Sequence, residues 1–253
     1  MKKSLIALAL VGAFAAPAFA EEPASPHTLS ANVTLATDYV FRGISQTAHE
    51  PTIQGGFDYS HASGFYIGTW ASNVNWVGTK ENTSMEWDLY GGYRGSFAGD
   101  FTYDVGMLKY YYTGNNVAGP TPDTLEVYGA IGWKFLTLKY SHVVSEYIFA
   151  WGDQDGGNDN NRGSGYLDVT ASVPLDGGWG IVAHVGRQRI KNFSDANYTD
   201  WKLGVTKDVG FGVVGLTYTD TNADGSCSKG EAYCFSGKDA GRATGVLSFS
   251  KSF

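Results

Sequence analysis

The chain has 253 residues, a formal net charge of −7, 34 glycines and 15% aromatic residues. The acidic balance argues against an electrostatic nucleic-acid binder, and the glycine and aromatic usage describes strands and turns rather than helices. After residue 20 no apolar run approaches the roughly 20 residues that a spanning helix needs, so a membrane crossing would have to be made by strands.

The first twenty residues, MKKSLIALALVGAFAAPAFA, place Lys2 and Lys3 before an apolar run from Leu5 to about Ala15 and close on Ala18-Phe19-Ala20. This is the pattern of a bacterial secretory signal peptide. It predicts cleavage of residues 1–20 and a single β-barrel domain over 21–253. From Leu29 to Arg42 apolar and polar residues alternate over fourteen positions. That is longer than a typical globular strand and suits a tilted bilayer crossing.

The alternation recurs at 51–60, 65–76, 85–94, 101–112, 125–134, 136–144, 165–173, 179–188, 198–206, 211–219 and 242–253, which predicts about twelve strands. At 65–76 and 211–219 both faces carry apolar groups, so the facing stays open there. Connections at 61–64, 97–100, 134–136, 174–178 and 207–210 are short. Those at 43–50, 77–83, 113–122, 145–163, 189–196 and 220–241 are mostly longer and polar, as in an outer-membrane barrel.

The expected fold is therefore all-β: a transmembrane up-and-down antiparallel β-barrel of about twelve strands, without a plug domain, in the bacterial outer membrane and in contact with its lipids. A soluble β-sandwich is the rival. Aromatics at strand ends suggest two interfacial girdles, with Tyr39, Phe41, Trp76, Trp87, Tyr110, Tyr198 and Trp201 toward the loops. Tyr59, Phe101, Trp133, Trp179, Phe211 and Phe253 form the turn-side set. The final strand ends on Phe253, a terminal aromatic of the sort that the barrel-assembly machinery recognises.

Facing the apolar side to lipid leaves Asp38, Asp58, Glu86, Asp88, Asp104, Glu126, Asp168 and Asp200 inside, with Arg42, Arg94, Lys134, Lys139 and Lys202. Eight acids against five bases predict a lumen with a mild preference for cations, although cross-strand pairing inside a narrow lumen is an equal reading of these groups. Asp38 and Arg42 share a face about 13 Å apart along a strand, so each must pair with neighbouring strands. Arg42, Asp38, Glu86 and Asp88 are expected to shape a constriction or entrance. The 145–163 connection, which carries Tyr147, Phe149 and Trp151, could fold inward.

The last connection contains DTNADGSCSKGE, in which Asp220, Asn222, Asp224, Gly225 and Glu231 match a calcium-loop pattern. The EF-hand switch needs flanking helices, and strands flank this loop, so calcium is at most a local ligand. Cys227 and Cys234 follow an export signal and are expected to form a disulfide. The alternatives to a channel are a lipid-acting enzyme and a surface-binding barrel with a closed lumen. Among the histidines only His142 and His184 fall within strands, and no motif marks a serine nucleophile beside them.

The segment LATDYVFRGISQT (35–47) resembles the N-terminal signature of the TorF-type family of conserved hypothetical outer-membrane proteins. Further stretches are similar to that family in order along the chain: GFYIGTWASNVNW, MEWDLYGGYRG, YDVGMLKYYYTG, LEVYGAIGWKFLTLKYS and the terminal LSFSKSF. The resemblance implies an outer-membrane barrel that passes small polar solutes, with no assigned substrate.

Overall fold

The computed structural model describes residues 25–76, 85–114, 121–152 and 160–253. The signal-peptide reading lies outside them, as do the connection at 77–83 and parts of 113–122 and 145–163. Twelve long strands form the wall: β1 (His27–Ala36), β4 (Thr52–His61), β5 (Phe65–Asn73), β6 (Met85–Phe97), β7 (Phe101–Tyr112) and β8 (Thr124–Trp133), then β9 (Leu136–Val143), β10 (Gly165–Pro174), β11 (Trp179–Arg189), β12 (Tyr198–Asp208), β13 (Val213–Thr221) and β16 (Thr244–Ser252). Two short hairpins lie in the loops, β2 (Val40–Phe41) with β3 (Ile44–Ser45), and β14 (Cys234–Phe235) with β15 (Lys238–Asp239).

Each wall strand pairs antiparallel with its neighbour, and β1 closes on β16 through Asn32↔Ser252 to Ala36↔Ser248, giving a closed twelve-stranded barrel. A single closed sheet replaces the two stacked sheets that a sandwich would need. The period of two sets the facing. Leu29, Phe57, Leu203 and Leu216 are more than half exposed, whereas Glu86, Glu126 and Asp200 are at most 2% exposed. Such an apolar exterior is far beyond the patches that water-soluble proteins leave open, and it suits hydrocarbon. The two ambiguous strands resolve the same way: Phe65 and Ile67 point out with Tyr66 and Ser72 in, and Leu216 and Tyr218 point out with Thr217 and Thr219 in.

The predicted first strand is too long. The wall ends at Ala36, and the chain turns into the barrel as the β2–β3 hairpin, whose tip is Arg42 (φ 48°) and Gly43 (φ 79°). Two consecutive positive φ values are what a tight hairpin turn requires, and glycine is the residue that adopts one without strain. A Cβ on Gly43 would also stand 2.5 Å from the Cβ of Asp200. Alternation runs on past Ala36 because an inward hairpin is extended chain as well, so periodicity alone cannot mark the exit from the wall.

The loop end of the barrel is filled by the connections themselves. Ile44, Val143, Ile148, Ile190, Tyr198, Tyr233 and Ala240 form one buried cluster, and Tyr39, Val74, Tyr110 and Tyr112 form another. Phe149 packs against both. Several connections supply this core: the first loop, the segment after β5 with Val74 and Trp76, the segment carrying Phe149 and Trp151, the β11–β12 connection with Ile190 and Ala196, and the last loop, closed by the Cys227–Cys234 disulfide with Cα atoms 5.0 Å apart. The loop-side girdle is corrected accordingly. Tyr39, Tyr110 and Tyr198 are at most 4% exposed and pack inside against the plug, as do the partly buried Phe41 and Trp76, while Trp87 and Trp201 keep their outward positions.

Leu203 lies at mid-height on the lipid face of β12. Leu203→Arg is expected to destabilise the barrel by about 2–4 kcal/mol, read from denaturant unfolding in lipid vesicles. A comparable cost for a polar substitution at the inward-facing Ser250 would contradict the facing.

Candidate functional site

Arg42 is the centre of the interior. At the hairpin tip its guanidinium meets Glu126 in a two-point contact, Nη1 to Oε1 at 2.9 Å and Nη2 to Oε2 at 2.7 Å. Nη1 also donates to the Gln188 side-chain oxygen at 3.1 Å. The guanidinium plane lies over Tyr166 at 4.5 Å and over Phe41 at 4.7 Å. Glu126, Tyr166 and Gln188 come from β8, β10 and β11, so one side chain from a loop ties three wall strands together. Bidentate carboxylate pairing and ring stacking are what distinguish arginine from lysine at such a position.

Asp38 is held within the first loop. It accepts from Ser45 Oγ (2.7 Å) and Thr47 Oγ1 (2.9 Å), and its other oxygen faces His49 Nδ1 at 2.8 Å. The second ring nitrogen of His49 faces the Asp239 carbonyl at 2.8 Å, which ties the first loop to the last. Lys238 reinforces that clasp through the Ala48 carbonyl (2.9 Å) and Glu50 (2.7 Å). Glu86 accepts from the Tyr39 hydroxyl at 2.8 Å. Asp88 is buried, and among the described residues its Oδ1 has no hydrogen-bond partner. Asp38, Arg42 and Glu86 are thus gathered about the plug, as parts of its scaffold rather than as an open ring.

Toward the turns the wall carries a ladder of acids and tyrosines. Tyr90 donates to Asp58 at 2.6 Å, Tyr66 donates to Asp104 at 2.6 Å, and the Tyr66 and Tyr128 hydroxyls share a short hydrogen bond. Arg94 lies over the Tyr66 ring, and Lys139 over the Tyr128 ring at 4.1 Å. Nearer the loops, on β10 to β12, His184 stands between two carboxylates, with Nδ1 3.0 Å from Asp168 and Nε2 2.9 Å from Asp200. Tyr166 donates to Asp200 at 2.8 Å. Lys202 shares the inner face with its cross-strand partner His184.

Lys134 is the exception among the expected lining residues. It occupies the β8–β9 turn at φ 55°, exposed, with its ammonium over the Trp133 ring. A two-residue turn places it beyond the wall, so strand parity does not apply to it. Sequence reasoning also missed the interior tyrosines, Gln188 and His49, because only formal charges were counted on the inner face. Strand parity already placed Tyr66, Tyr90, Tyr128 and Tyr166 there.

Both nitrogens of His184 face carboxylates, with the Tyr166 and Thr170 hydroxyls also within hydrogen-bond reach of its ring. His142 points outward beside Tyr140. In the last loop Asn222 Oδ1 accepts from Thr199 N, and Glu231 accepts from Ser226 N, both at 2.7 Å. Asp220 sits on β13 and Asp224 in the loop beyond it. Among the described residues no three His, Cys, Asp or Glu side chains are gathered to hold a metal ion. Phe253 pairs its backbone with Ala31, at the seam of the barrel.

Two measurements test this arrangement. Glu126→Ala leaves a buried guanidinium without its carboxylate and is expected to cost about 3–5 kcal/mol, with much of that recovered in Arg42→Met combined with Glu126→Leu; denaturant unfolding reads both. In the loops, the Ser226 amide holds Glu231 below the usual carboxylate range, and Lys238 does the same for Glu50. Depressed carboxylates contribute stability above the unfolded value, and this is lost as pH falls through the folded one. The last loop should therefore keep its amide protection at pH 5 and lose it below roughly pH 4, as followed by hydrogen exchange.

A family model described as "Bacterial protein of unknown function (Gcw_chp)" matches residues 20–253. No curated protein matches the chain. Among solved structures, the NanC porin in a rhombohedral crystal form aligns with TM-score 0.55 and 12% identity over 89% of this chain and 99% of its own. The KdgM porin aligns with TM-score 0.53 and 6% identity over 88% of this chain and 98% of its own. KdgM in complex with disordered oligogalacturonate gives TM-score 0.52 and 6% identity over the same shares. At these identities the likeness is one of fold.

Proposed function

We propose that this chain, which belongs to the Gcw_chp family of bacterial proteins of unknown function, is a narrow outer-membrane channel for passive diffusion of small polar solutes, with a mild preference for cations. The observation that carries this reading is the inversion of the barrel. Apolar side chains face outward, and a ladder of carboxylates, tyrosines and a few cations faces inward. Such a lining replaces the hydrogen bonds that a solute gives up on leaving water, while fixed charges set the entry barrier. The porin folds of KdgM and NanC support it, and so does the TorF-type likeness of residues 35–47.

With Lys134 outside the wall, the expected acids outnumber the expected bases further, which favours cations. Oligogalacturonate, present in one KdgM structure, is a polyanion, and an acid-dominated interior suits it poorly. The filled loop end favours a second reading, a closed barrel whose loops bind a surface partner. Passage under the channel reading requires the first loop to move. The exposed terminal Phe253 fits recognition by the barrel-assembly machinery.

Refolded protein in a planar bilayer should give stepwise currents, with a reversal potential on the cation side in a salt gradient. A folded barrel that stays silent even after removal of residues 38–49 would sink the channel reading and leave the surface-binding one.

A further inference from the structure

The seat of Arg42 has the composition of a ligand site. Glu126, Gln188 and Tyr166 are 1%, 3% and 4% exposed, and together they present a two-point carboxylate, an amide oxygen and a ring face. These groups stand on the wall, whereas the arginine they hold arrives on a two-residue turn. Nothing covalent distinguishes Arg42, as seen from the seat, from a free molecule with the same head group. The surroundings favour a cation further. Glu86 and Glu126 are like-charged neighbours of Asp88, whose buried Oδ1 has no hydrogen-bond partner among the described residues.

From this geometry we infer that the Glu126–Gln188–Tyr166 seat is a binding site for guanidinium-bearing solutes, which Arg42 occupies as an intramolecular stand-in. A solute with a planar, forked cation competes with the hairpin tip for the same oxygens and the same ring. A simple ammonium cannot make the two-point contact, so it competes poorly. When the solute wins, the β2–β3 hairpin loses the Arg42 contacts with β8, β10 and β11 and is loosened, held then by the Ser45 amide on the Ala240 carbonyl and by the His49 and Lys238 contacts between the first and last loops. Binding at the seat stands without the channel reading; the coupling of binding to opening rests on it.

Arg42→Ala removes the stand-in and leaves a guanidinium-shaped space, as cavity variants do for apolar ligands. Titration calorimetry on this variant in detergent micelles, with methylguanidinium and methylammonium chlorides as probes, should show saturable binding of methylguanidinium. The guanidinium is expected to bind at least about tenfold tighter than the ammonium, the worth of one further charge-assisted hydrogen bond. Adding Glu126→Gln should abolish that preference. Equal affinity for the two probes, or a preference that survives Glu126→Gln, would overturn the assignment.

Wild-type protein supplies a measurement that does not depend on folding of the variant. Arginine amide should raise amide exchange across residues 39–47 at least about tenfold over lysine amide at equal ionic strength, and equal exchange with both would also overturn it. Bilayer recordings separate the two readings. If methylguanidinium binds as stated and no variant conducts, the channel reading fails while the site remains. If the variants conduct and the calorimetry shows no preference, the site fails while the channel remains.

Discussion

Closure of the sheet is the constraint on which everything else depends. In hydrocarbon an unpaired strand edge leaves a row of amides and carbonyls without partners, at several kcal/mol each. Pairing of β1 with β16 removes both edges at once. Twelve strands follow as a ring whose exterior must be apolar, and whose interior is thereby the only place left for charged side chains. The acids and tyrosines of the lumen are gathered by that exclusion as much as by their own attractions.

A barrel of this size is too wide for wall side chains alone to fill at every height. The two ends handle the space differently. Toward the turns the wall residues make their own network, with tyrosine hydroxyls donating to Asp58 and Asp104. Toward the loops the polypeptide itself returns inside, and a buried apolar core forms around Ile44, Ile148 and Tyr233. Arg42 joins the two regimes. Its backbone belongs to the plug, its guanidinium to the polar wall, and its pairing with Glu126 keeps two buried charges from standing alone.

The same logic explains the last loop. Its disulfide, its Glu231 turn contact and its clasp to the first loop through Lys238 and Asp239 form a strap above the inward hairpin. Residues that spell a calcium pattern in one dimension serve here as backbone acceptors. Asn222 and Glu231 each take an amide proton from the chain nearby, which is the common use of Asn and Glu side chains in loops. A pattern of residue types leaves the direction of the oxygens undefined, and convergence is what a cation needs.

Much was legible in the chain itself. The period of two, the alternation of short and long connections and the absence of a spanning apolar run determined a transmembrane barrel of twelve strands, because facing and crossing length are local properties of extended chain. Strand parity also put Glu86, Glu126, Asp168 and Asp200 inside. Tertiary structure alone decided where the first strand leaves the wall, that Lys134 falls on a turn, and that Arg42 reaches Glu126 and Gln188. Those contacts join residues 84 and 146 positions apart, and no local period carries information across such a distance. Only the closed ring, by bringing β8 and β11 around to face one hairpin tip, makes them neighbours.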